Sequence, residues 1–559
     1  KPLWLKAWPH FVRRRAFAPP LVAQPLTKSA PLNMFELEDR VFIHGLCSDR
    51  GRTFNLRPAR VVKLPGANDP AGRVGVEVLV GGDCDTWAAK RSRSDDGKSC
   101  AKKATPEQLL VKVGNLLSAR DPADRRRVLL AQVVQTTPEL LVIRRFLDDQ
   151  LVAGRGAVGP GGGCASQATF TQEGSPLLFR IAEFTAAPPA VPHQFSGYMR
   201  QLWPEHWRFD FNGKIAPLCS RLLRYGEGRQ LTASVGGVKP RIDCGVAELG
   251  PDYPGLVLFA GGCGAHPQQC RFNPELFYRS AVLYDSLLDE WLELPDLPTR
   301  RHGTSAARVG SRVYVMGGQY VHSFDDDENG GQSAASGRLR FCDVFDAEAW
   351  RWTSQEIELG GTNRALARAM DNAAFFAAGG VGGRVVACLF DRARGQTLTA
   401  VFNPSRPEDG WRQADFPDGS DGEVRVGQSS CATAYRDELV VASGRPSLLA
   451  RTTAAFRFTH PADDGDCWHC GSWRQLPDLV HARVGGALVV VEGRLYATGG
   501  VDEETGEFRD DFELFVGPRE DAPACWTPVD WVKMPRALHA HECLALPTLS
   551  AAMRVAGGG

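Results

Sequence analysis

The chain has 559 residues, 43% of them hydrophobic, with Lys+Arg and Asp+Glu both at 65. That length suits two or more domains with proper cores, and the balanced charge offers no global field for nucleic acid, an anionic membrane or an acidic substrate. No run approaches the roughly 18 apolar residues of a membrane span. Fifteen scattered cysteines, an odd number without regular spacing, argue against a disulfide framework and for reduced thiols in the cytoplasm, with the nucleus as the other compartment.

Residues 1–33 are rich in Pro and basic residues and are expected to form a flexible lead. Lys1, Lys6, Arg13, Arg14, Arg15 and Lys28 all precede the first acid, Glu36. The same bias is found in organelle transit peptides, and a start at Lys1 without Met suggests a fragment or a processed form. From Glu38 the character changes: RVFIHGL at 40–46, ARVVKL at 59–64 and RVGVEVLV at 73–80 are short β-branched runs between turn residues, a β module over 35–113. Thr105-Pro106-Glu107-Gln108 has the capping-box form, and Asp121-Pro122 and Thr137-Pro138-Glu139 repeat the start signal. Leu129 and Val133, then Leu140, Ile143 and Leu147, follow at helical intervals. Two or three short helices are therefore expected between about 105 and 151, with 114–153 as a helical connector. GRGAVGPGGG at 154–163 marks a linker over 154–166.

The order of the early runs, with HGL after the first strand and GRVGVEV later, resembles an SH3-like small barrel over about 70 residues. A polar insert at 83–103 interrupts it before the closing strand.

Beyond the linker, an apolar run ending in a small pair recurs: Gly261-Gly262, Gly317-Gly318, Gly379-Gly380, Ser443-Gly444 and Gly499-Gly500. Such periodicity is the signature of a repeat architecture. The first copy continues with Tyr284, Trp291 seven residues on, and Leu297-Pro298-Thr299-Arg300. Phe345 and Trp352 keep that interval; later copies carry Phe402 and Trp411, Phe456 and Trp473, and Phe515 with Trp526 or Trp531, ending at Met534-Pro535-Arg536. These positions resemble kelch repeats over about 240–545. The resemblance implies a mainly β fold, a kelch β-propeller over 168–547, with the glycines letting neighbouring sheets approach and the aromatics filling the gaps. HECLAL at 541–546 resembles the first strand of a blade whose other strands come from 176–184, 217–225 and 230–234. Six blades then result, with seven as the competing count and 548–559 as a flexible tail.

Candidate chemistry is sparse. Gly154-Arg155-Gly156-Ala157-Val158-Gly159 fits G-x-G-x-x-G without the strand and helix a dinucleotide site needs. Gly97-Lys98-Ser99 lacks the preceding Gly of a phosphate loop. Cys467-Trp468-His469-Cys470 has half of a zinc-site spacing and reads as a surface loop with two reduced thiols. A copper oxidase is known on a kelch propeller, which implies Tyr and His ligands near the axis, yet there are nine Tyr in all. Arg301-His302, His539 and His541 read as hydrogen-bonded within the fold, and Arg125–Arg127 and Arg13–Arg15 as solvated basic runs. No catalytic residue, metal or cofactor is assigned.

The expected function is that of a scaffold or adaptor binding a protein partner through loops held by the sheets. The loops at 319–338, 263–274 and 461–470 are the candidates, with Asp325, Asp326, Asp327 and Glu328 in the first, Arg271 in the second, and Trp468 and His469 in the third. Neither nucleic acid nor a membrane span is expected as part of that role. The alternatives are an enzyme using the axial pocket, of sugar oxidase or isomerase type, and a structural subunit of a large assembly.

Overall fold

A computed structural model describes residues 40–43, 58–64, 73–78, 108–112, 116–119 and 121–136 of the N-terminal part. Beyond it are described 190–199, 201–209, 215–218, 221–225, 231–233, 241–264, 277–321, 336–338, 341–356, 366, 373–391, 396–414, 429–444, 453–460, 468–502, 505–518, 522–535 and 537–547.

The early runs form one antiparallel sheet. Arg40–Ile43, Pro58–Lys63, Arg73–Val78 and Gln108–Lys112 pair in succession, and Leu116–Ser118 returns to the free side of Arg40–Ile43. Side-chain alternation splits the first strand: Val41 and Ile43 join Ala59, Val61, Val74 and Val76, whereas Phe42 faces the opposite way. The helix expected from Thr105-Pro106 is instead the strand Gln108–Lys112. Its capping pattern is a local signal, and the ladder of Leu109 and Leu110 against Val76 and Gly75 overrides it. The β unit therefore runs to Ser118, past the expected limit at 113. Asp121-Pro122 does start a helix, Pro122–Thr136, with Asp121 Oδ1 accepting from the backbone N–H of Ala123 at 2.7 Å. The third start signal, at Thr137, lies outside the described residues. No helix among those described is long and apolar enough to cross a membrane.

Six further sheets of four or more strands follow among the described residues, together with a two-stranded pair, Val501–Asp502 and Glu507–Phe508. Sheet 1 orders Glu542–Pro547, Ala190–Met199, Gln201–Phe209 and Ile215–Leu218. Sheet 2 holds Gly245–Glu248, Leu256–Ala260, Ala281–Asp285 and Glu290–Leu294, extended outward by Arg221–Tyr225 and Leu231–Ala233. Sheet 3 holds His302–Val309, Arg312–Val321, Phe341–Asp346 and Arg351–Glu356, with Ser336–Arg338 at its side. Sheet 4 comprises Ala373–Val381, Arg384–Asp391, Gln396–Phe402 and Trp411–Gln413; sheet 5, Cys431–Tyr435, Glu438–Ala442, Ala455–Thr459 and Ser472–Leu476; sheet 6, Ala487–Val491, Arg494–Thr498, Phe512–Val516 and Cys525–Val529.

Each sheet buries both faces against its neighbours. Phe195 and Leu546 of sheet 1 meet Val257 and Trp291 of sheet 2; Leu258 and Leu283 meet Val313 and Phe345; Tyr314 and Val344 meet Val385 and Phe402. Val386 and Val401 then meet Leu439 and Phe458, Val440 and Ala455 meet Leu488 and Trp526, and Val489 and Phe512 return to Cys543 of sheet 1. The clusters therefore close a ring. The C-terminal strand staples it as expected, but the strand it pairs with is Ala190–Met199, with Leu544 opposite His193. The segment 176–184 lies outside the described residues. The stretch 217–225 is split: Arg221–Tyr225 and Leu231–Ala233 leave sheet 1 because Arg221–Leu223 pairs in parallel with the outer edge Glu290–Leu292 of sheet 2.

Register sharpens the repeat. In five sheets an aromatic on the third strand lies opposite a tryptophan on the fourth: Tyr284–Trp291, Phe345–Trp352, Phe402–Trp411, Phe458–Trp473 and Phe515–Trp526. Their ring centroids are 5.0, 5.2, 5.4, 5.2 and 5.3 Å apart. Phe458, two residues beyond Phe456, is thus the partner of Trp473, and Trp526 rather than Trp531 completes the last copy. The small pair follows the second strand in sheets 2, 5 and 6 and lies within the longer second strand of sheet 3, and in all four both members have positive φ. Gly379-Gly380 departs from this. It sits in the first strand of sheet 4, because Gly382 and Gly383 turn the hairpin just after it. A Cβ on Gly380 would lie 2.0 Å from the Arg308 carbonyl oxygen, so this glycine serves the approach of two first strands.

Candidate functional site

The first strands of adjacent sheets lie against one another around the ring. Antiparallel order then sorts the connections between two rims. One rim carries the starts of the first strands, the small pairs of sheets 2, 3, 5 and 6, and the sheet-to-sheet connections at 477–486, 530–535 and 537–541. The other carries the turn Asp285–Glu290.

The second rim is partly covered by the chain itself. Leu287 enters a cluster with Phe42, Ala119, Val128 and Leu129 of the N-terminal unit. Arg40 Nε and Nη2 donate to Glu290 at 2.6 and 3.0 Å, both side chains 6% exposed. Arg125, 1% exposed, donates to both Asp285 oxygens at 2.6 and 2.9 Å. Arg125 is therefore an interface residue and not part of a solvated basic run; burial against the turn selects one of the three arginines, and Arg126 and Arg127 remain exposed.

On the first rim, Asp243, Ser429, Gly485 and Ala540, each two places before a first strand, and Gly303, the second residue of its first strand, have positive φ. Their backbones link one sheet to the next: Gly303 N–H donates to Asp243 O at 2.8 Å, Gly485 to Ser429 at 2.8 Å, and Ala540 to Gly485 at 2.7 Å. Just ahead, Arg241, Arg301 and Arg483 each donate to the carbonyl of a small pair, Gly261, Gly317 and Gly499. Arg301 also meets Asp343 at 2.6 Å, and Arg483 meets Glu513 at 3.0 Å. Ser443, the non-glycine of the small pairs, accepts from Arg483 N–H through its Oγ at 2.8 Å.

Titratable groups here are strongly shaped by burial. Desolvation, then the neighbouring Asp243 carboxylate, pushes Glu542 up to about 8. At the other end of its strand, toward the second rim, desolvation brings Glu248 to about 7 against the pull of Arg308. Burial, then the neighbouring His539, lowers His541 to about 3, and His541 Nε2 shares a 3.2 Å hydrogen bond with Thr498 Oγ1. Among the described residues, Asp243, Cys263 and His302 could hold a metal ion, their donor atoms all lying within 4.8 Å of one another.

Of the loop candidates, Asp325, Asp326, Asp327, Glu328 and Arg271 lie outside the described residues, although Gln319–Val321 and Ser336–Arg338 pair as the base of a hairpin leading to the acidic run. The runs at 154–159 and 97–99 also lie outside. Trp468 is 4% exposed and packs between sheets 4 and 5 beside Trp473, so its indole is core rather than a partner contact. His469 stands edge-on to it at 5.4 Å. Cys470 is disulfide-bonded, which corrects the reading of that motif as two reduced thiols. What the sequence reading missed is exposed apolar surface: Val480 and Trp531, at 47% and 57%, each on a sheet-to-sheet connection of the first rim.

No family model matches the chain. An F-box/kelch-repeat protein of Arabidopsis thaliana is 33% identical over 100 residues, which make up 18% of this chain and 22% of that protein, so the match spans about a fifth of the relative's length. Among solved structures, a fungal alcohol oxidase of the AA5 family in complex with copper shows 14% identity and a TM-score of 0.36, covering 63% of this chain and 66% of its own. YjhT shows 16% identity and a TM-score of 0.36, covering 61% and 98%. The ring of antiparallel sheets and its repeated small pairs and aromatic pairs make this part of the chain a kelch-like β-propeller.

Proposed function

We propose that the protein is a binding scaffold whose six-bladed propeller, over 168–547, presents its open rim to a protein partner in the cytoplasm. An SH3-like N-terminal unit is docked on the other rim as a fixed attachment. The observation that carries this reading is Trp531, a 57% exposed indole on the rim opposite the one that the described residues of the N-terminal unit contact, with Val480 on the preceding connection. Solvated tryptophans are uncommon on a folded surface and recur at the centres of protein interfaces. Cys263, at the start of one candidate loop, and the paired Gln319–Val321 and Ser336–Arg338, at the ends of another, stand on the same rim.

The test is capture from native cell extract with full-length protein, then titration of the purified captured protein. Trp531→Asp should weaken binding at least about tenfold at an unchanged melting temperature. Equal affinity for Trp531→Asp and Val480→Asp would remove this rim as the binding face.

A further inference from the structure

At the junction of sheets 2 and 3, three side chains of different donor chemistry converge from positions no motif links. Asp243 stands two residues before the first strand of sheet 2, Cys263 follows Gly261-Gly262, and His302 opens the first strand of sheet 3. Their backbones are tied together. Ile242 and Cys263 exchange hydrogen bonds of 3.1 and 2.9 Å, Gly303 N–H holds the Asp243 carbonyl at 2.8 Å, and the His302 ring stacks on Phe277 at 4.3 Å and 10°. Phe277 in turn bridges to Cys263.

We propose that Asp243, Cys263 and His302 form a binding site for a single zinc-type divalent ion at this junction. The repeat supplies an internal comparison. Val484 bridges to Val501 as Ile242 does to Cys263, so the corresponding positions where sheet 6 meets sheet 1 are Gly485, Val501 and His539, with one donor of three. Where sheet 5 meets sheet 6, Ser429 and Val484 occupy two of them. Asp243 holds its carboxylate at φ 53, in the left-handed region where sheets 3 and 6 use glycine. Asp tolerates this region better than most residues, so the junction can present a carboxylate where two other sheets present none.

The donor set selects the ion. A thiolate with an imidazole suits borderline cations such as Zn²⁺ or Co²⁺ and disfavours Mg²⁺ and Ca²⁺. Ligand distances of about 2.0 to 2.3 Å place tetrahedral donor atoms roughly 3.3–3.8 Å apart. A set already within 4.8 Å needs only small side-chain rotations to close. Cys263 binds as the thiolate and gives its proton to solvent, and three protein donors leave a fourth position for water. The ion would staple two neighbouring sheets at the open rim.

The experiment is Co²⁺ titration of the chelator-treated full chain, read by the thiolate-to-cobalt charge-transfer band, followed by displacement with Zn²⁺. One equivalent should saturate the band. Cys263→Ser should abolish it. Asp243→Gly installs the residue found at the matching positions of sheets 3 and 6, so its metal-free melting temperature should equal or exceed that of the original chain, while Co²⁺ affinity falls at least about tenfold. The proposal is overturned if no such band forms at stoichiometric Co²⁺, or if it persists at full intensity in both variants.

Discussion

The ion pair between Arg40 and Glu290 gives the sharpest test of how the two parts of the chain are joined. The residues are 250 positions apart, bidentate, and 6% exposed on both sides. Arg40→Met takes the guanidinium from a carboxylate that stays buried, a change that costs about 3–5 kcal/mol when one member of such a pair is lost. Arg40→Met with Glu290→Gln removes both charges and should recover most of that loss, so a double-mutant cycle should return a coupling of about 2 kcal/mol or more. Arg127→Met is the control, because its contact to Asp124 at 3.1 Å is a mostly exposed i,i+3 pair that contributes at most about 0.5 kcal/mol. The assay is urea and thermal unfolding of the full chain. Refutation would be a single variant within about 0.5 kcal/mol of the original chain, or costs that simply add. Either result would mean that the N-terminal unit does not dock through this pair.

Gly318→Val should destabilise by about 2–4 kcal/mol, since φ is +95° and a Cβ there would lie 2.8 Å from the His302 carbonyl oxygen and 2.9 Å from Thr304 Cγ2; an unchanged melting temperature would contradict the backbone assignment. Glu542 is raised from 4.5 to about 8, so its contribution to stability is fully present below pH 4.5 and is lost as pH rises through 8. Glu542→Gln should therefore melt progressively higher than the original chain across that window, by on the order of 2 kcal/mol above it, and a pH-independent difference would refute the cause. His541, lowered from 6.5 to about 3, has the opposite sign: its contribution holds above pH 6.5 and is lost as pH falls toward 3, so His541→Gln should flatten the acid limb of the stability curve. Truncation after Met534 removes Glu542–Pro547 and uncovers the edge of Ala190–Met199 together with Phe195; protease sensitivity or aggregation is expected, and a soluble monomer of native stability would show that the ring does not need this strand.

The sequence made the repeat visible where the connection between strands three and four is tight. Tyr284 and Trp291, and Phe345 and Trp352, sit seven residues apart because a short turn joins their strands. A 3₁₀ turn at Pro407–Asp409 lengthens the next copy, and the insert before Cys470 lengthens the one after. Phe456 and Phe458 share a strand face by their period of two, and only the ladder to Trp473 tells them apart. Gly379-Gly380 looked like a repeat position because a small pair after an apolar run is a local pattern, while strand number is set by the hairpin at Gly382-Gly383. The docking of the N-terminal unit was not legible at all, since Arg40 and Arg125 find Glu290 and Asp285 only through the tertiary fold. The same holds for Asp243, Cys263 and His302, whose kinship appears once the repeats are aligned by strand register rather than by glycine.

That alignment also ranks the departures from the repeat by how far the fold itself explains them. Ser443 replaces the first glycine of its pair at φ 59, and its Oγ accepts the Arg483 N–H, so the side chain returns a hydrogen bond to the blade junction it strains. Ala540 takes the left-handed place before Glu542–Pro547 and still donates to the Gly485 carbonyl at 2.7 Å. Asp243 makes the matching backbone link with Gly303, which glycine would make equally well. That carboxylate faces a thiol and an imidazole on one side and raises Glu542 on the other. Replacing it with glycine should therefore improve the fold while removing whatever the three donors hold, and a variant that lost stability instead would make Asp243 a structural residue like Ser443.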